Sequence, residues 1–584
     1  MNPRIETLLT SLYGASVGDR IALEIRNLGA RIGQNIRVGL ARGRDMALTE
    51  RDVLLITYAD QVTEPGVPPL RALARFCERH LGDRISGVHL LPFYPSSSDD
   101  GFSVQDYLAV DPAFGAWNDV AELGARFDLM MDGVFNHVSA QGAWFRGFLA
   151  GEPRYRDFFI TVENHPDLSK VVRPRALPLL TEVVTVEGPK RVWTTFSADQ
   201  VDLNYKSPEV LLATVEALLF YASQGARFIR LDAIAFLWKE IGTNCLHLRQ
   251  THQVVQLWRA ILDEIAPHVL LITETNVPHA DNLSYLGDGE NEAQLVYNFA
   301  LPPLVLHAMS TGHAEKLSRW AQSLVLPSDR VTFFNFLASH DGIGLNPARG
   351  LLDETEIDAL VSRTLEHGGF ISYKDMPDGS RLPYEMNINF LDALSNPLSA
   401  EPKELAARKT LTAHAMMFSL QGVPGIYFHS LFGSRGDRAG AETSGIPRRI
   451  NRQKLKGRQI EAELAESDSI RALVFRGFEK LLEVRRSQSA FHPRAAQEVL
   501  ALDPRVFAIC RNPSDPTERV VCLHNVSDQT VRLSDGLGGL ESSHAWTDLW
   551  TGRRYGKAGA GDSIGAGIQL GAYETLWLKA DRIC

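Results

Sequence analysis

Cysteine is scarce, with 5 in 584 residues, and Cys77, Cys245, Cys510, Cys522 and Cys584 show no CxxC spacing. That excludes a disulfide framework and a thiolate zinc motif, and a reducing cytoplasm fits best. Long hydrophobic runs are missing as well, since no stretch approaches the roughly 18 uncharged apolar residues of a membrane-spanning helix. The start, Met1-Asn2-Pro3-Arg4-Ile5-Glu6, leads into a segment with charges throughout, unlike the basic start and apolar run of a secretory signal. Neither membrane insertion nor secretion is expected. Positive charge is in deficit, with Lys+Arg 60 against Asp+Glu 70 and a formal net charge of -10. A nucleic-acid coat and adhesion to anionic membranes are therefore not expected, and any anionic substrate must meet a local basic cluster. Internal repeats and low-complexity tracts are absent too, although the segment 556–571 is glycine-rich enough for one or two loops.

What is present is ample core material, at 45% hydrophobic and 22% charged residues, in a chain about four times the roughly 150 residues of a typical domain. In residues 1–50, Leu8, Leu9, Leu12 and Tyr13, then Ile21, Leu23, Ile25 and Leu28, recur at near-helical spacing. They predict one or two short helices forming an appendage. Beyond them, eight short apolar runs alternate with helical stretches: Val53 to Ile56, Val88 to Leu91, Leu129 to Met131, Phe228 to Leu231, Leu270 to Ile272, Leu295 to Tyr297, Thr332 to Phe336 and Gly425 to Phe428. Eight strands with crossover helices make the class α/β and predict a closed (β/α)8 barrel over 51–487. Two stretches, about 138–205 and 345–400, are too long for simple crossovers and predict inserted loop subdomains that roof a pocket. After a helix near 466–487, the runs Val506 to Ile509, Val520 to Leu523 and Thr575 to Leu578 predict a C-terminal antiparallel β domain over 488–584.

Barrel chemistry collects where strands end, so the polar residues that close apolar runs are the candidates. Strand two leads to Asp99-Asp100-Gly101-Phe102, and strand three ends in Asp132-Gly133-Val134-Phe135-Asn136-His137. Strand four carries Arg230-Leu231-Asp232, strand five ends in Thr273-Glu274, and strand seven leads to His340-Asp341. Taken singly, an Asp at a strand end is often a helix cap and an Arg-x-Asp pair a buried ion pair. Together they put several carboxylates in one site, where proximity forces their pKa values apart so that one stays ionised while another stays protonated. Glycosyl transfer needs that pair. His137 and Asn136 raise the question of a metal, but no tight ligand spacing accompanies them.

Asp132-x-x-x-Asn136-His137, Arg230-x-Asp232, Glu274 and His340-Asp341, in that order, resemble the four signature regions of the α-amylase superfamily. The resemblance narrows to the sucrose phosphorylase group through Leu55 to Asp60, Arg173-Pro174-Arg175, Gln200-Val201-Asp202, Phe299 to Leu304 and His340 to Gly344. It implies Asp232 as the nucleophile that forms a β-glucosyl enzyme, Glu274 as general acid/base and Asp341 as stabiliser of the transition state. It places Asp99, His137, Gln200, His340 and Arg448 on the sugar, with Phe102 and Phe196 as apolar platforms. Arg230 should keep Asp232 ionised. Arg175 should reach phosphate, with Tyr384 of the second insertion as its partner. The group uses no metal or cofactor, with inorganic phosphate as co-substrate.

The chain departs from sucrose phosphorylases in its N-terminal extension and in Leu382 to Asn387, where those enzymes place a fructose-gripping Asp two residues before the Tyr. The extension, Gly242 to His247, Glu274 to His279 and His340 to Gly350 look more like the glucosylglycerate phosphorylases. The expected reaction is phosphorolysis of 2-O-α-glucosylglycerate to α-glucose 1-phosphate and glycerate. Sucrose, sucrose 6'-phosphate and glucosylglycerol phosphorylases share the catalytic residues and stay open as alternatives, as does an α-glucoside hydrolase. A catalytically dead binding subunit is the remote alternative. Partners are a small sugar and phosphate, and a homodimer stays open.

Overall fold

Runs of three to six mostly apolar residues, too short for helices and buried on both faces, form the centre of the molecule. These strands are β1 (Leu54–Thr57), β2 (Gly87–Leu90), β3 (Asp128–Gly133), β4 (Ala226–Leu231), β5 (Leu270–Thr273), β6 (Leu295–Tyr297), β7 (Thr332–Phe336) and β8 (Val423–Tyr427). They close a parallel barrel in the order β1-β8-β7-β6-β5-β4-β3-β2. The seam is β1 against β8, with Leu55 opposite Ile426. At Gly425 a side chain would overlap the ring of Phe334, so the glycine is what lets β7 fill the space with an aromatic. The eight strands fall on the eight apolar runs of the sequence. The computed structural model describes residues 2–40, 47–174, 177–375, 380–533, 537, 545–555 and 568–580. Most of the glycine-rich segment 556–571 lies outside them.

The N-terminal extension differs from the expected appendage of short helices. Helix α1 (Pro3–Tyr13) is short, but α2 (Ala15–Leu40) runs for 26 residues. Ile5, Leu9, Ile21 and Ile25 belong to the main core. Glycines that look like helix breakers are instead contact points: a Cβ on Gly18 would sit 3.1 Å from the Thr10 nitrogen, and one on Gly29 would lie 2.7 Å from Ile265 Cδ1. Close approach, not chain flexibility, is their use. Polar ties fix the pair to the barrel, with Tyr13 donating to the Tyr205 carbonyl at 2.9 Å and Arg20 and Arg31 pairing with Glu209 and Glu216 at 2.8 and 2.6 Å.

Both long insertions carry structure of their own. In the first, His137–Ser139 pairs antiparallel with Gln200–Asp202, enclosing a helix, Ala143–Leu149, and a hairpin, Leu180–Thr185 with Gly188–Trp193. In the second, Ile343–Gly344 joins a hairpin of Phe370–Asp375 and Arg381–Asn387 in a three-stranded sheet. The C-terminal sheet has six strands, built around Val506–Asn512, Val520–Asn525 and Thr575–Ala580. Alternation along Val506–Asn512 serves two cores: Phe507 and Ile509 join the main core, whereas Val506, Ala508 and Cys510 pack a separate one. Among the described residues no helix is long and apolar enough to cross a membrane. Cys77, Cys245, Cys510 and Cys522 are buried and free.

A buried guanidinium ties the barrel's end to the helix Ile470–Arg486. Arg485 donates to the carbonyls of Glu50, Asp52, Gly422 and Phe491, and burial pushes its pKa down to about 9. Arg485→Met keeps an apolar stem but strips four carbonyls of a donor. At roughly 1–3 kcal/mol per buried group left unsatisfied, the variant should lose at least about 3 kcal/mol. Urea unfolding checks this, and a midpoint equal to wild type would refute it.

Candidate active site

One cation organises the floor of the barrel mouth. Arg230, the fifth residue of β4, is 3 % exposed and directs Nη1 at both Asp132 of β3 and Asp232, the latter at 2.9 Å. Its Nη2 lies 3.9 Å from Glu274, which follows β5. The rings of Phe102 and Tyr297 each lie 5.7 Å from its Cζ. From the other side of Asp132, His89 Nε2 closes to 2.7 Å. Burial alone would raise Asp132, but Arg230 and His89 outweigh it and hold this carboxyl below its usual range.

The three candidate catalytic carboxyls do not share one environment. Burial pushes Asp232 up, with Arg230 pulling against it. Arg230 lowers the Asp232 pKa as expected, but desolvation outweighs it and leaves the carboxyl above its usual range. Burial also pushes Glu274 up, to about 7, with the negative charges of Asp232 and Asp341 adding to the rise and Arg230 opposing it. The backbone N–H of Ala233 donates to Glu274 Oε2 at 2.9 Å, from a residue at φ 49°. A left-handed alanine is strained, and here it turns the chain directly after Asp232 so that its N–H faces Glu274. Asp341 is the carboxyl held well below its usual range. Burial would raise it, but Arg448 at 2.6 Å, His340 and Arg452 at 3.6 Å overcome that.

The remaining candidates close around this trio. Asp232, Glu274, Asp341, Asp99, Phe102, His137, Phe196, Gln200, His340, Arg448 and Tyr384 all line one cavity of about 520 Å³, with Arg230 behind them. His137 Nε2 donates to the Phe102 carbonyl at 2.9 Å, and burial keeps the ring neutral by lowering its pKa. His340 stacks on Phe102 with centroids 4.7 Å apart, and burial pushes its pKa down to about 3. Gln200 donates to Asp99 at 3.2 Å, and the Phe196 ring sits 5.3 Å from that of His137. Asn276 donates to the Tyr384 hydroxyl at 3.3 Å. Neutral imidazoles, carboxylates and aromatic faces in one concave site suit a sugar ring. Arg175 lies outside the described residues, while Arg173 and Pro174 beside it line the cavity. Among the described residues no cluster of three or more His, Cys, Asp or Glu side chains is arranged to hold a metal.

Several functional positions escaped the sequence reading. Glu385, next to Tyr384, is buried and accepts from Arg448 at 3.0 Å and from the Gly342 N–H at 2.5 Å. Arg452 bonds Asp100 at 2.7 Å and the His340 carbonyl at 2.9 Å. Its signal was the basic run Pro447 to Arg452, of which only Arg448 stood out. His89 sits inside a strand, where nothing in the sequence marks it. Asn276, Arg349 and Lys374 also line the cavity.

Comparison with known proteins bears on this geometry. Residues 80–342 match the α-amylase catalytic-domain model. The chain is 54% identical over 85% of its length to a glucosylglycerate phosphorylase of Allomeiothermus silvanus, covering 88% of that protein. It is 46% identical to a glucosylglycerate phosphorylase of Escherichia coli, covering 99% of this chain and 100% of that one. Among solved structures, sucrose 6F-phosphate phosphorylase from Thermoanaerobacter thermosaccharolyticum superimposes with a TM-score of 0.71 at 24% identity, over 83% of this chain and 96% of that one. The fold is that of an α-amylase-type barrel. The chain belongs to the α-amylase family, in the branch that holds these glucosylglycerate phosphorylases.

Two outcomes follow from the geometry. An acid at Glu274 must be protonated to act, so kcat/KM for glycoside cleavage should fall about tenfold per pH unit above pH 7, with an acid limb above the usual Asp range from Asp232. Glu274→Gln should lower kcat/KM roughly 100- to 10,000-fold and flatten the alkaline limb, whereas an unchanged limb would assign that ionisation elsewhere. Glu385→Gln keeps an acceptor for the Gly342 N–H but drops the charge that braces Arg448. It should cut kcat about 10- to 100-fold with thermal unfolding unchanged, as a shifted catalytic geometry does.

Proposed function

We propose that the protein is a retaining glycoside phosphorylase that interconverts 2-O-α-glucosylglycerate and phosphate with α-glucose 1-phosphate and glycerate. The observation that carries the reaction type is the arrangement at Arg230, where one guanidinium serves a nucleophile candidate and an acid/base candidate while Asp341 keeps separate cations. Support for the acceptor comes from the relatives named glucosylglycerate phosphorylase, one of them matched along its whole length.

In the first displacement, the Asp232 carboxylate attacks the anomeric carbon as the bond to the glycerate oxygen breaks, and protonated Glu274 gives that oxygen its proton. The product is a β-glucosyl ester on Asp232 with Glu274 now ionised. Asp341 stabilises the positive charge that builds on the ring in each transition state. In the second displacement, a phosphate oxygen attacks the same carbon from the vacated face, Glu274 takes the phosphate proton, and the ester bond to Asp232 breaks. Two inversions give α-glucose 1-phosphate, and the proton on Glu274 is restored. This reading calls for no cofactor, and inorganic phosphate is a substrate. Four buried, free cysteines suit a reducing cytoplasm.

Incubation of the enzyme with α-glucose 1-phosphate and D-glycerate, glycerol, fructose or fructose 6-phosphate, following phosphate release, tests the assignment. Fast release with D-glycerate is expected. Preference for another acceptor would overturn the substrate, and release with no acceptor would show a hydrolase.

A further inference from the structure

Of the acids that line the cavity, Asp99, Asp232, Glu274 and Asp341 follow barrel strands and Glu385 comes from the second insertion; of the cations, Arg448 follows β8, whereas Arg173, Arg349 and Lys374 come from the two insertions. Each of these cations has a different degree of commitment. Arg349 spends Nη1 on the Glu354 carboxylate at 2.6 and 2.7 Å and Nη2 on the Pro383 carbonyl at 3.1 Å. Arg173 is exposed and donates to the Leu177 carbonyl at 2.5 Å. Lys374, on the hairpin strand Phe370–Asp375, is half-buried, and its Nζ donates to Asn346 Oδ1 at 3.3 Å.

No carboxylate among the described residues lies within ion-pair distance of Lys374, and its charged neighbour is another cation. Burial first and Arg349 second lower its pKa, and among the described side chains no acid opposes them. A part-desolvated ammonium beside a guanidinium is costly unless an anion joins them. The buried Arg349 Nε, which has no hydrogen-bond partner, is a second donor at the same wall. An ammonium offers a point charge with three donors, of which Asn346 takes one. Two remain for an oxyanion that enters the cavity.

We propose that Lys374, with Arg349 beside it, is the base that grips the carboxylate of the acceptor. This rests on the glucosylglycerate reading. The acceptor's carboxylate is bonded to the carbon that carries the reacting oxygen, so an anion site in the same cavity as Glu274 is what such an acceptor demands. The residue thereby sets acceptor choice, selecting glycerate over glycerol, which has the same carbon skeleton without the charge.

The test is synthesis from α-glucose 1-phosphate with D-glycerate and with glycerol, for wild type, Lys374→Met and Lys374→Arg, together with the KM for phosphate in phosphorolysis. The ratio of kcat/KM for glycerate to that for glycerol should fall at least about 10-fold in Lys374→Met and recover in large part in Lys374→Arg. Lys374→Gln serves as the second neutral variant if the Met protein does not fold. A ratio equal to wild type overturns the proposal, as does a rise in phosphate KM with the ratio unmoved, which would make Lys374 a phosphate ligand. A wild-type enzyme that glucosylates fructose or glycerol but not glycerate overturns the substrate reading itself. A wild type that uses glycerate while Lys374→Met keeps the ratio overturns this assignment alone.

Discussion

Everything at the barrel mouth depends on a single buried cation meeting three carboxylates. Arg230 contacts Asp132 and Asp232 through one nitrogen and approaches Glu274 with another. Three acids packed this closely without it would compete for protons, and the site would hold an undefined number of them. The guanidinium makes the competition unequal. Asp132 gains His89 as a second partner, Asp232 shares its cation, and Glu274 receives the weakest share. Unequal shares of one charge thus grade chemically similar groups, from a carboxyl held below its usual range at Asp132 to one pushed up to about 7 at Glu274.

The surroundings hold that sorting in place. Asp99 and Asp100 stand at φ 52° and 47°, a conformation costly for residues with side chains. Arg452 and Arg449 bind Asp100 at 2.7 and 3.0 Å, and their charge-assisted bonds offset the strain. The same Arg452 holds the His340 carbonyl, so the turn after β2 and the loop after β7 are braced from one side chain. Rings of Phe102 and His340 stack between them, giving the sugar-facing surface a rigid wall.

Much of this was legible in the residue order. The strands β1 to β8 read as bare apolar runs because a strand buried on both faces cannot alternate, and the acids that close β3, β4 and β5 stand out against such runs. Residues 1–40 were harder. Gly18 and Gly29 carry the signature of breaks, and only the packed structure shows that they let helices touch. Glu385 and Lys374 were invisible for a different reason. Each acts through a partner that tens to hundreds of angstroms of extended chain could separate, and nothing local in the sequence encodes which arginine a given hairpin residue will meet. Protonation is harder still. The rise of Asp232 comes from desolvation, a property of everything packed around it, against an adjacent arginine that the sequence does show.

The hairpin of the second insertion has a consequence for how this scaffold can change its substrates. Its strand Phe370–Asp375 brings Lys374 to the cavity, while the paired strand Arg381–Asn387 brings Tyr384 and also Glu385, which braces Arg448 against Asp341. Acceptor recognition and transition-state support are therefore carried on one mechanical part. A graft of this hairpin from a barrel with another acceptor would import a foreign strut for the catalytic aspartate along with the new specificity. Divergence within the fold is steered toward residue-by-residue exchange on the outer strand, where the acceptor can be re-read while the inner strand stays as it is.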